Sequence, residues 1–389
     1  RGSSRAAPRV APQTQRGAPR STPGPMCPSP SAGTAPVEAK DRAATVAATK
    51  LSLQDIRAAI PTECFSKETG RSLYYLARDL AVLATAPYAY THLVAGSGNP
   101  LAYLAYWNLY GFFMWCLFVV GHDCGHTSFS PHKALNDLCG HVAHAPLLVP
   151  FYPWAMSHRR HHMYHNHQKK DASHPWFTPR GWRKLPAFTR ALLTCALAPF
   201  VAYPIYLFEG SFDGSHVNPF SKLYRGASRR ARVECAVSAA SVFAFAYALW
   251  EACGRSAATV ALAYGGCYYV FSFWLFMVTY LQHHEEDTLV YDDADWSYLK
   301  GAFETVDRTY GYGIDHIHHN ISDGHVVHHL FFTQVPHYHL TKATQAVAPL
   351  LQKAGVYKHV AHDNIIKDFW KTFFRCNFTG WKWANPKDE

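Results

Sequence analysis

The sequence predicts an all-α integral membrane protein with four transmembrane helices in two hairpins, and three observations carry this. The chain of 389 residues is 49% hydrophobic but only 16% charged, where a soluble domain carries about 25% charged residues. Uncharged runs recur with lengths close to the roughly 20 residues that a helix needs to cross a bilayer. Turn signals join these runs in pairs, G-S-G-N-P at 96–100 and C-G-R-S at 253–256. Mean hydropathy is only −0.15, so much of the chain must lie outside the membrane. Aromatic residues, at 15%, fit belts of Trp and Tyr at the interface.

Taken in order, residues 1–37 mix Pro, Ala, Ser, Thr, Gly and Arg with no acid until Glu38, a composition that predicts disorder. The stretch to residue 49 reads as a disordered leader. Its first twenty residues hold five arginines, which fits an organelle transit segment as well as an unstructured tail. No secretory signal is evident. Residues 73–95 form the first apolar segment, with Arg78 and Asp79 near its start. Residues 101–120 and 257–282 carry no charge and are the strongest spans; 235–250 is the fourth. The run at 191–208 is uncharged but holds Pro199 and Pro204, and reads as interfacial. Residues 50–375 make one membrane domain, and 376–389 a short tail.

Charge orients this arrangement. The loop from 121 to 234 carries fourteen Lys and Arg, whereas the two hairpin turns share only Arg255. The positive-inside bias puts the long loop in the cytosol, or in the stroma of a plastid. The net charge of +10 is spread between apolar segments and comes with no nucleic-acid-binding motif, so membrane lipid is the expected partner rather than nucleic acid. The ten cysteines are scattered with no C-x-x-C pair, and read as buried hydrophobes rather than a disulfide framework.

Histidine carries the chemistry. H-D-C-G-H at 122–126, H-R-R-H-H at 158–162 and H-V-V-H-H at 325–329 each set imidazoles three or four residues apart, a spacing that stacks side chains on one helix face. The candidate ligands are His122, His126, His158, His161, His162, His325, His328 and His329. His283, at the exit of the 257–282 run, is the ninth, preferred over its neighbour His284. In the two-hairpin arrangement all nine fall on one membrane face. A structural zinc needs four ligands and usually includes Cys, and the boxes hold no carboxylate apart from Asp123, which points off the His122–His126 face, so magnesium and calcium do not fit. Nine imidazoles fit two metals. His316, His318 and His319 read as surface or substrate-head residues, and His141, His144, His165, His167, His174, His337 and His339 are likewise set aside as ligands. A histidine-rich metal transporter is the reading from another class; it would place its ligands near the middle of the spans, whereas here they begin where the apolar runs end.

These motifs resemble the membrane fatty acid desaturases, and within them the methyl-end (Δ12 and omega-3) acyl-lipid branch. The stretches that carry the resemblance are H-D-C-G-H-T-S-F-S at 122–130, H-A-P-L-L-V-P-F-Y-P-W at 144–154, S-H-R-R-H-H at 157–162, T-Y-L-Q-H-H at 279–284, T-V-D-R-T-Y-G at 305–311, D-G-H-V-V-H-H at 323–329 and P-H-Y-H-L at 336–340. The resemblance covers roughly residues 50 to 375. It implies a helical membrane fold with interfacial helices and a cytosolic helical cap, two iron ions held by the histidine boxes, and oxygen-dependent desaturation of a fatty acyl chain. A related di-iron hydroxylase, conjugase or acetylenase would keep the same histidines. No catalytic group beyond the metal ligands is expected.

Zinc has no redox chemistry, whereas histidine-ligated iron can use O₂, with other groups setting the orientation of the rings. Asp171, Asp307, Asp315 and Asp323 are candidates for that orienting role. The family pattern has an Asn four residues before the lone histidine, holding metal through water; this chain has Thr279. Trp154, Trp274 and Phe331 are candidates to line an acyl tunnel. No H-P-G-G haem signature is present, so electrons are expected from a separate donor, cytochrome b5 or ferredoxin, which the basic loop could steer. The motifs favour the endoplasmic reticulum, with a plastid membrane as the alternative suggested by the leader.

Overall fold

The computed structural model describes residues 39–171, 173–174, 176–210, 213–285, 287–376 and 382–383. Among them, three helices are long and apolar enough to cross a membrane: Pro100–Gly125, Arg229–Ala252 and Ala257–His283. Each begins where the sequence supplies a cap. The Asn99 side chain accepts from Leu101 N ahead of Pro100, Ser228 from Ala231 N, and Ser256 from Thr259 N. These oxygens satisfy backbone donors that a helix start leaves without partners.

The other two apolar stretches are interrupted. The first is built as Thr69–Ala84, Ala86–Ala89 and a π-helical turn Tyr90–Val94, because Pro87 has no N–H to continue the helical ladder. The run at 191–208 becomes Ala187–Thr194 and Ala198–Glu209, bent by 112°. Pro199, in the first turn of the second piece, suits a new helix start and no continuation. Counted as one span, this pair would bring the total to four.

Pro100–Gly125 and Ala257–His283 run side by side in the same direction. Their contact is close because glycines permit it: a Cβ on Gly111 would lie 2.6 Å from Cys267 O and from Val270 Cβ, and one on Gly266 would strike the Trp107 ring at 2.3 Å. Ala257–His283 contains a π-helical turn at Ala261–Gly265. Tyr106 Oη donates to Ala263 O and Trp107 Nε1 to Leu262 O, both at 2.8 Å, so groups on the neighbouring helix cover carbonyls of the irregular turn. Running in parallel, the two helices end together, and that end carries His122, His126 and His283.

Shorter helices cover this end: Lys133–His144, Phe151–Tyr164, Tyr298–Ala302, His325–Phe331 and His337–Lys353. The structure is mostly helical, as an all-α fold predicts, with a few short strands among the helices. Asp307–Thr309 pairs in parallel with His359–Ala361, and Leu289–Val290 with Lys382–Trp383. The T-V-D-R-T-Y stretch at 305–310 is rich in β-branched and aromatic residues, which favour extended backbone. Fully buried Arg308 ties this strand to the end of the His283 helix, donating to Leu281 O at 2.6 Å, His284 O at 2.8 Å and Glu285 Oε2 at 2.9 Å.

The leader expected over 1–49 is corrected at its end. Residues 1–38 lie outside the described residues, but Ala39–Ala48 is a helix. Its Arg42 is buried, donates to Phe303 O at 2.7 Å and pairs with Glu304 at 3.4 Å. Five of its ten residues, A-K-D-R-A-A-T-V-A-A, are alanine, the strongest helix former.

Candidate metal centre

The nine candidate ligands come from four helices. His122 and His126 sit at the end of Pro100–Gly125, His158, His161 and His162 on Phe151–Tyr164, His283 at the last turn of Ala257–His283, and His325, His328 and His329 on His325–Phe331. Eight are buried and His158 is half-buried. They gather in two groups, the second made of two trios that share His283. His122, His126, His158, His162 and His328 each offer a ring nitrogen, all within 4.8 Å of one another; His283, His325 and His329 do the same, as do His161, His174 and His283.

Spacing within the groups suits a shared ion. The Nε2 atoms of His122 and His126 lie 3.2 Å apart, those of His158 and His162 3.1 Å, those of His161 and His283 3.3 Å, and those of His283 and His325 3.1 Å. Two nitrogens each about 2.0–2.1 Å from one metal ion sit roughly 3 Å apart at a right angle. Ring nitrogens of His122, His126, His162, His283, His325, His328 and His329 are buried without a hydrogen-bond partner. An unsatisfied buried polar atom costs about 1–3 kcal/mol; most of these are Nδ1, while the converging nitrogens are Nε2, and only at His328 and His329 is Nε2 itself without a partner.

The electrostatics suit ligation as well. Burial first, then neighbouring imidazoles, push His158, His162, His325 and His329 well below the ordinary histidine range. These rings are neutral at physiological pH and keep a lone pair for a metal.

Of the candidate orienting acids, Asp171 meets a box histidine directly. Its Oδ1 accepts from His161 Nδ1 at 2.8 Å and its Oδ2 from Asn166 N at 3.1 Å. Burial alone would raise Asp171, but the facing His161 and its hydrogen bonds hold it below the usual carboxylate range. This carboxylate is placed to hold a proton on His161 Nδ1, which would leave Nε2, facing His283, to ligate. Asp307 works through the backbone: it accepts from Val326 N and Tyr357 Oη, each at 2.8 Å, and so anchors the first turn of His325–Phe331. Burial lifts Asp307 to about 8 and Asp323 to about 7. Asp315 instead accepts from Tyr310 N, Gly311 N and Ser322 Oγ, so it folds its own turn. Thr279 spends its hydroxyl on Leu275 O at 2.7 Å and Phe276 O at 3.3 Å, the back-bonding habit of Thr in helices.

The aromatic candidates divide. Trp154 stacks on His158 with ring centres 4.7 Å apart and lies 5.9 Å from His122. Trp274 packs on Phe112 at 4.7 Å, and Phe331 on Phe65 at 5.9 Å. The next residue, Phe332, meets the histidines instead, 4.6 Å from His162 and 5.0 Å from His126.

Sequence reasoning missed several partners. Asp123, one residue from His122, accepts from His337 through both its backbone N at 3.0 Å and its Nδ1 at 2.9 Å. His318 and His319, read as surface or substrate-head residues, are fully buried: Trp115 Nε1 donates to His318, and His319 pairs with Asp79 at 2.7 Å. Only His316 of that trio is exposed. His144 lies stacked on Phe118 against Gly121, and His165 bonds to His162 O and Tyr298 O. His284 stacks on Tyr280 at 3.8 Å and bonds to its carbonyl, outside both groups. Asp79 in the first apolar segment and the P-H pair at 336–337 are visible in the sequence, but nothing local to them names their partners.

The same end of the same helices defines the class. Residues 99–361 match the family model described as fatty acid desaturase. The chain is 41% identical over 302 residues to the Delta(12) fatty acid desaturase fat-2 of Caenorhabditis elegans, covering 77% of this chain and 80% of that protein. It is 41% identical over 305 residues to the sn-2 acyl-lipid omega-3 desaturase (ferredoxin), chloroplastic, of Helianthus annuus, covering 77% and 67%. It is also 41% identical over 301 residues to the acyl-lipid omega-3 desaturase (cytochrome b5), endoplasmic reticulum, of Arabidopsis thaliana, covering 76% of each. The chain belongs to the fatty acid desaturase family, and is an oxidoreductase with membrane-spanning helices.

Proposed function

We propose that this desaturase inserts a Δ12 or omega-3 double bond into a fatty acyl lipid, with two iron ions held by His122, His126, His158, His162 and His328 on one side and His161, His283, His325 and His329 on the other. The observation that carries this is the convergence of nine buried or half-buried imidazoles into two adjoining groups. When bound, iron supplies the redox chemistry in which O₂, two electrons and two protons become two waters as two hydrogens leave neighbouring acyl carbons. The chain's own part is to hold neutral nitrogens in place, to fix the His161 tautomer through Asp171, and to keep water from the acyl chain.

An apolar cavity of 230 Å³, lined by Leu148, Pro150, Leu207, Phe208, Val242 and Tyr268 among others, supports an apolar substrate. Pro150 immediately precedes the second-box helix, and Tyr268 lies on the helix that ends at His283. We read the apolar segments as two membrane hairpins, with the histidines and the basic loop on the cytosolic or stromal face. A separate donor supplies the electrons; relatives are named for ferredoxin and for cytochrome b5, and the endoplasmic reticulum is the favoured location over a plastid membrane.

Expression in yeast with fatty-acid profiling tests the reaction. Linoleate formed from oleate marks Δ12 activity, and α-linolenate formed from supplied linoleate marks omega-3 activity. Hydroxylated acids as the sole product would replace desaturation with the related hydroxylase reaction.

A further inference from the structure

We propose that His174 is a tenth metal ligand, completing the second histidine group to five imidazoles as the first group already has five. The inference rests on the two-iron reading above. His174 lies outside the three histidine boxes, on the loop that follows the second-box helix. Its ring centre is 4.4 Å from that of His283 and 5.0 Å from that of His161. One nitrogen from each of the three rings lies within 4.8 Å of the other two.

The loop holds His174 there. Its backbone N–H donates to Asp171 Oδ1 at 3.2 Å, the same oxygen that receives His161 Nδ1 at 2.8 Å. One carboxylate therefore sets both imidazoles. Among the described residues the His174 ring nitrogens form no hydrogen bond of their own. Its ring neighbours are other rings: His161 and His283, then His284 at 6.0 Å and Trp176 at 6.4 Å. His174 is half-buried, and the ring nitrogens nearest to it are those of His161 and His283.

The two other polar side chains close to His283 are already engaged. Thr279, one turn earlier, is bonded to its own helix, and His284 to Tyr280 O at 2.8 Å. Among the described residues, His174 is the further side chain that brings a ring nitrogen to both His161 and His283. The ligand it would take is the same class of ion as its neighbours, a divalent iron accepting a neutral imidazole nitrogen.

The test compares wild type with His174→Ala and His174→Phe, purified from membranes in detergent. Phe keeps a flat ring but has no ligating atom, so it decides the matter if the alanine variant is not recovered. Iron per chain, release of iron to excess ferrous chelator, and the Mössbauer spectrum of isotopically enriched protein are measured for each. We expect the variants to release one of two irons faster by roughly tenfold or more, with one of the two spectral components changed and the other preserved. Wild-type release rates and an unchanged spectrum in the variants would overturn the assignment, even if activity fell. Wild-type protein without iron would instead overturn the two-iron reading on which it rests.

Discussion

Asp171 concentrates the residue-scale argument. A single buried carboxylate faces His161 and, through the backbone, the loop carrying His174. Asp171→Asn keeps the shape but can favour the wrong tautomer of His161, so iron affinity should fall by roughly 10–100-fold while the protein still inserts in the membrane. His161→Ala should go further and abolish both activity and full iron loading; full activity in that variant would remove His161 from the ligand set. Asp171 was legible from its position nine residues after His162. The Asp123–His337 pair was not, because its members lie 214 positions apart and no periodicity links them. The division of the boxes between the two groups was equally hidden. It depends on how far each helix is rotated about its axis, which the spacing of histidines alone leaves open.

At the scale of elements, the close approach of Pro100–Gly125 to Ala257–His283 positions the site. Gly111 has no room for a Cβ, and apolar helices in a bilayer associate through small residues of this kind. Gly111→Leu should therefore push the helices apart and destabilise the protein by about 1–3 kcal/mol, read as a lower melting temperature in detergent and loss of bound iron. The long uncharged runs were legible because 101–120 and 257–282 exceed anything a buried soluble helix needs. The interruption at Pro199 was only partly so: proline marks a break without giving its angle. The Ala39–Ala48 helix was hidden because its short alanine-rich segment adjoins the proline-rich stretch at 1–37.

At the scale of the whole molecule, the buried histidines make the iron-free protein sensitive to acid. Folded-state values for His158, His162, His325 and His329 lie below the ordinary value, which for the unfolded chain is about 6.5. Below that pH the unfolded chain binds more protons than the folded one, so stability falls as pH drops. Thermal melts of the iron-free protein should show a falling midpoint from pH 7 to pH 5, and a flat profile would contradict it. Membrane sidedness is a second prediction. Single cysteines placed at exposed Lys169 and Lys342 should label from the cytosolic or stromal side, and one at Arg255 from the other. Labelling of 169 and 342 from opposite sides would exclude the two-hairpin topology.

The His162 and His329 rings, from different groups, stack with centres 4.1 Å apart. Phe151–Tyr164 and His325–Phe331 each send side chains into both groups. A first ion would therefore immobilise both helices and leave the second group already assembled. Uptake should then be cooperative: titration with ferrous iron should give a sigmoidal curve, with chains holding either no iron or two and few holding one.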